Sequence, residues 1–156
     1  MKNISDLFVF RFTLLHVLTY LFFGILFMFI SDYFAFFHQH DLLKDIMLPP
    51  TALKVRLAPL VQIVRGLLLA LAFYPFRSIL RTRLGWLKLF FLLFVFSGIG
   101  AVVTGPGSIE GWLYTRIGFI NPLIGLPEII LQMLTFSYFL YRWEKQSEKP
   151  VEKTGG

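Results

Sequence analysis

Residues 7–30 read LFVFRFTLLHVLTYLFFGILFMFI, a run interrupted only by Arg11 and His16. As a helix rising 1.5 Å per residue it reaches about 36 Å, enough to cross the ~30 Å hydrocarbon core of a bilayer. A secretory signal has a shorter apolar core and a small-residue cleavage site. This run is longer and leads into Ser31-Asp32-Tyr33, so it reads as an uncleaved membrane helix over 7–31.

Three further runs follow the same pattern. The second, 57–76, holds Gln62 and Arg65 and carries Pro59 in its first turn, where a missing N–H is tolerated. Pro75 stands near its end. The third, 84–104, is entered through Trp86 and Lys88 and closed by Thr104-Gly105-Pro106-Gly107. The fourth, 127–143, is short, about 25 Å of helix, and Tyr141, Arg142 and Trp143 form an interfacial anchor at its end. The expected fold is therefore an all-α membrane protein. It is a four-transmembrane-helix bundle in one domain, residues 1–143, followed by a charged, disordered cytoplasmic tail over 144–156.

Composition agrees. Of 156 residues 56% are hydrophobic and 15% charged, and Phe alone occurs 19 times. A soluble domain of this size cannot hide that much apolar surface, so much of it is expected to face the lipid bilayer. With no Cys, disulfides, thiolate metal sites and cysteine nucleophiles are excluded. The net charge of +6 is better explained by cations beside anionic headgroups than by nucleic acid, for which no role is expected.

The cations also orient the chain. Lys2, Arg11, Arg77, Arg81, Arg83, Lys88, Arg142, Lys145, Lys149 and Lys153 fall on one side. Lys44, Lys54, Arg56 and Arg116 fall on the other. The positive-inside rule then gives an N-in, C-in chain in a plasma membrane of the bacterial inner-membrane type. Both outer connections carry apolar segments, 41–48 and 108–118, which are expected to be short interfacial helices.

Few residues carry chemistry. Arg65 lies near mid-span, where an arginine costs roughly 2.5–3.5 kcal/mol on insertion scales, so it is expected to face the bundle interior. Gln62 precedes it by three residues. Glu128, in the first turn of the last helix, is the expected ion-pair partner, with Gln132 and Thr135 continuing its face. Glu110, within Gly105–Gly111, is the candidate site residue, because glycines let backbone approach a ligand closely. His16 has Thr13 and Tyr20 on its face and reads as a hydrogen-bonded neutral imidazole rather than a haem ligand. His38, His40 and Asp41 are too few for a metal site, and no metal or cofactor is expected. Gly66 and Ala70, four apart, form a small-residue pattern that lets helices pack closely in lipid.

No Ser-His-Asp constellation and no marked carboxylate pair is present. The expectation is a non-enzymatic protein that binds a membrane-protein partner or an anionic or lipid ligand. The alternative is a small lipid- or isoprenoid-modifying enzyme or carrier.

Overall fold

The computed structural model describes residues 4–31, 52–99 and 122–147, and among these the chain is all-helical. The helices are α1 (Ile4–Ile30), α2 (Leu53–Arg56), α3 (Ala58–Phe73), α4 (Gly85–Leu93) and α5 (Pro122–Ser147). A 3₁₀ segment, Tyr74–Arg81, prolongs α3, and a π-helical segment, Phe94–Ile99, prolongs α4. Two stretches of 24 residues, Leu7–Ile30 and Ala58–Arg81, are long and apolar enough to cross a membrane. Gly85–Phe96 is a shorter apolar helix. The expected interfacial helices at 41–48 and 108–118, Glu110, and residues 148–156 of the tail lie outside the described residues.

Some boundaries differ from those read off the sequence. α5 starts at Pro122 rather than at 127 and continues through Ser147. Residues 144–147, expected in the tail, continue α5, and three of their side chains are bonded. Glu144 bonds Arg11 at 2.9 Å, Lys145 Nζ bonds Tyr141 Oη at 3.3 Å, and Ser147 Oγ bonds the Trp143 carbonyl at 2.8 Å. The second helical run passes Pro75 instead of stopping near it. Pro75 occupies the first turn of the 3₁₀ segment, where its missing N–H interrupts nothing.

In α1 the buried residues are Phe8, Phe12, Thr19, Phe23 and Phe27. Steps of four and seven place them on one stripe. In α3 the buried residues are Gln62, Gly66 and Ala70, again at steps of four. α1 lies between α3 and α5, and α4 packs on α5, so the spatial order is α3–α1–α5–α4. Arg11 meets Glu144, and Gly24 meets Glu128, so α1 and α5 run antiparallel. A buried hydrophobic cluster gathers Phe8, Phe12, Ala70, Leu80, Leu89, Leu93, Phe136 and Leu140 toward the end where α1 begins and α5 finishes. There the Phe12 ring stands edge-on to Phe136 at 4.8 Å and stacks on Phe73 at 6.1 Å.

A short turn joins the 3₁₀ segment to α4. Thr82 donates both its N–H (3.1 Å) and its hydroxyl (2.8 Å) to the Ile79 carbonyl, and Gly85 N–H returns to the Thr82 carbonyl at 3.0 Å. Leu84 is left-handed, with φ 60. Gly85 is required for space: a Cβ there would lie 2.5 Å from the Ile79 oxygen.

Candidate functional site

Polar residues of the two long apolar helices meet where α1 crosses α3. Gly66 makes the crossing close. A Cβ on it would lie 3.0 Å from His16 Cδ2 and 3.3 Å from Thr13 Cγ2. One turn earlier, Gln62 is buried and its Oε1 lies 3.3 Å from His16 Nε2. A neutral imidazole with its proton on Nε2 donates to that oxygen. The His16 ring is also edge-on to Phe136 of α5, with centroids 6.3 Å apart. Thr19 turns its hydroxyl back to the carbonyls of Leu15 (2.8 Å) and His16 (3.2 Å). The buried Thr13 Oγ1 and Ser137 Oγ have no hydrogen-bond partner among the described residues.

Arg65 is not enclosed at this crossing as expected: its residue is exposed. The reason is rotational. α3 turns Gln62, Gly66 and Ala70 onto α1, and at about 100° per residue Arg65 falls on the flank of that stripe. It follows Gln62 by three residues, so it stands beside the crossing. Glu128 is half-buried on α5, with its carboxylate oxygen 3.9 Å from where a Gly24 Cβ would stand. Gly24 is two turns beyond His16, about 12 Å along α1, so Glu128 occupies a different level from the crossing. Gln132 is half-buried one turn along α5 from Glu128. Of the six sequence candidates, His16 and Gln62 are brought into contact, Arg65 stands beside them, Glu128 and Gln132 lie elsewhere on α5, and Glu110 is outside the described residues.

The other polar concentration is at the end where α1 begins. Arg11 Nη1 and Glu144 Oε1 are 2.9 Å apart, with side chains only 13% and 22% exposed. The Arg11 guanidinium also lies 5.4 Å from the Trp143 ring centroid. No local pattern announces this pair, because its members are 133 residues apart. The available signal was positional: a cation just inside the first apolar run and a carboxylate just past the last anchor. Around it, Arg77 bonds Tyr74 Oη (2.9 Å), Lys88 bonds Thr82 Oγ1 (3.0 Å) and Arg142 bonds Tyr138 Oη (3.2 Å).

Between α1 and α5 lies an open groove of about 350 Å³, lined by Leu15, Leu18, Thr19, Phe22, Phe23, Thr135 and Phe139. Its walls are apolar, and the Thr19 hydroxyl is already bonded to backbone, so the groove suits a hydrocarbon chain better than a polar substrate. Among the described residues no three His, Asp or Glu side chains gather in a way that could hold a metal ion. The chain matches no protein-family model, no curated protein and no solved structure.

Proposed function

We propose that this chain is an integral membrane protein of four spans, both termini cytoplasmic, that works by binding rather than by catalysis. Its partner is a membrane protein or an anionic or lipid ligand met toward the outer half of the bundle. The observation that carries the membrane reading is how little of the two long apolar helices the protein itself covers: 17% of each hydrophobic window is buried. The core helix of a soluble protein is mostly buried. In water each large apolar side chain left exposed forgoes about 1.5–3 kcal/mol. Against lipid that loss disappears, since the tails are as apolar as the side chains.

Binding is favoured over chemistry by the crossing of α1 and α3. His16 and Gln62 are spent on each other, which is how polar side chains hold helices together in lipid. The apolar groove between α1 and α5 fits a ligand with an acyl chain. Native mass spectrometry from mild detergent tests this reading: a retained lipid or protein partner is expected, and a bare chain in every mild detergent would count against it. The threading has its own test. The chain has no Cys, so single cysteines introduced at Thr82 and Gly155 should be labelled only from inside, and those at Lys44 and Gly107 from outside. Labelling of Thr82→Cys from outside intact cells would overturn it.

A second reading, a small lipid- or isoprenoid-modifying enzyme or carrier, draws on one observation. The buried Thr13 hydroxyl has no partner among the described residues, and Thr13 and His16 both lie against Gly66 at the crossing, next to Arg65 along α3. Arg65→Lys separates the two. Function lost with stability kept points to bidentate anion recognition by the guanidinium. Function kept in both Arg65→Lys and Arg65→Leu removes Arg65 from any site.

A further inference from the structure

We infer that the basic end of the bundle recognises the phosphate of anionic phospholipids through cations held in place by neutral hydroxyls. The inference rests on the membrane reading above, which sets this end against a headgroup layer. Four cations on three elements share one arrangement. Arg77 bonds Tyr74 Oη at 2.9 Å, Lys88 bonds Thr82 Oγ1 at 3.0 Å, Arg142 bonds Tyr138 Oη at 3.2 Å and Lys145 bonds Tyr141 Oη at 3.3 Å. Three of them also lie over the ring that carries the hydroxyl, at 4.6, 5.9 and 5.5 Å from its centroid for Arg77, Arg142 and Lys145.

The choice of anchor matters. A carboxylate would position a cation and cancel its charge; a hydroxyl or an aromatic face positions it and leaves the charge available. Glu144, a carboxylate at this end, is taken by Arg11 at 2.9 Å. Each tyrosine accepts from its cation and keeps its own O–H proton to donate. A pair such as Arg142 and Tyr138 therefore offers one phosphate group a charge and a neutral donor from a single turn of helix. Thr82 differs, because its proton is used on the Ile79 carbonyl, and Lys88 contributes charge alone. Phosphate is the chemistry that matches charge-bearing donors in this arrangement, and the lipid headgroup is the source at a membrane rim.

Trp86, edge-on to Tyr138 at 6.1 Å, is a built-in reporter. The chain carrying Trp112→Phe and Trp143→Phe, reconstituted in phosphatidylcholine, is titrated with brominated phosphatidylglycerol or brominated phosphatidylcholine, and Trp86 quenching is read. Brominated phosphatidylglycerol should bind about fivefold more strongly, the factor for ~1 kcal/mol per basic residue at an anionic surface. Arg142→Gln should bring the ratio toward unity, and Tyr138→Phe, which keeps every charge, should at least halve it. Helical circular dichroism checks that each variant is folded, and counting retained lipids by native mass spectrometry gives the same ratio for any variant with altered fluorescence. Equal quenching by both lipids overturns the inference, as does a Tyr138→Phe ratio equal to the parent's, which leaves bulk charge alone. Loss of the preference on adding inorganic phosphate overturns the lipid as the ligand. Quenching by neither lipid strikes instead at the membrane reading.

Discussion

Where α1 crosses α3, His16 turns to Gln62 at 3.3 Å and Gly66 lets the two helices touch; where α1 begins, four cations lean on Tyr74, Thr82, Tyr138 and Tyr141 while Arg11 is closed against Glu144. The contact at the crossing joins neutral groups that carry donors and acceptors, with Arg65 exposed on its flank, and the end uses charges. On the proposed membrane reading, distance from water explains the difference. In a hydrocarbon environment each unsatisfied polar group costs several kcal/mol, which drives side chains deep in an apolar run to pair as His16 and Gln62 do, while Thr13 Oγ1 and Ser137 Oγ have no partner among the described residues. On the same reading, headgroups and water at a rim complete whatever the protein leaves open. Arg11 is the intermediate case: it lies far enough into the first apolar run to need a carboxylate and an aromatic face.

The comparison can be broken by substitutions, each read as a shift in the SDS fraction that unfolds the protein in mixed micelles. The largest effect is expected for Gly66→Leu. Already at Cβ it would press His16 Cδ2 at 3.0 Å and Thr13 Cγ2 at 3.3 Å, and the Thr13 backbone in contact at 3.4 Å leaves no room for the rest of a leucine. Overpacking of this kind costs about 3 kcal/mol. An unchanged midpoint would mean that the crossing is not close.

Glu144→Leu comes next, at about 2 kcal/mol, because it strands a largely buried guanidinium. Arg11→Leu in the same chain should restore much of the loss, and additive single effects would show that the pair is not coupled. Gln62→Leu should cost about 1 kcal/mol, the scale of polar contacts between membrane helices. In a His16→Phe background that cost should vanish; if it persists, Gln62 acts through something other than His16. The smallest effect has the opposite sign. Leu84 carries a left-handed φ of 60, a conformation that costs an L-residue roughly 1–2 kcal/mol. Leu84→Gly removes that strain but frees the unfolded chain, leaving a net gain of about 0.5 kcal/mol. A loss of stability there would show that the Leu84 side chain is worth more than its backbone costs.

Much of the helical architecture was legible in the residues. The apolar runs at 7–31, 57–76 and 84–104 fall mostly on helices where the chain is described, with Ser31, Leu57 and Leu84 in turns at their edges, and Gly66 with Ala70 is buried on the face of α3 that meets α1, as the small-residue spacing suggests. The candidate site was legible in its residue types rather than in its partnerships. His16 was expected to be a hydrogen-bonded imidazole, and Gln62 was singled out through Arg65 rather than through His16. Arg65 itself was placed inside the bundle on cost alone. Cost says that a charge must be accommodated, but it does not say on which side of the helix.

The sequence by itself determined that these stretches are apolar and helical, because length and hydropathy are sums over neighbouring residues; of the four spans it predicts, the described helices include two long and apolar enough to cross a membrane. It also determined where the cations cluster along the chain. Only the tertiary structure decided which face of α3 meets α1, and so that Gln62 rather than Arg65 reaches His16. Only it joined Arg11 to Glu144 across 133 residues and brought Glu128 to Gly24. Those outcomes depend on the rotation of each helix about its axis. In an apolar helix with hydrophobic residues all round, that rotation is set by a few small and polar residues finding partners on other helices, and no local pattern records it.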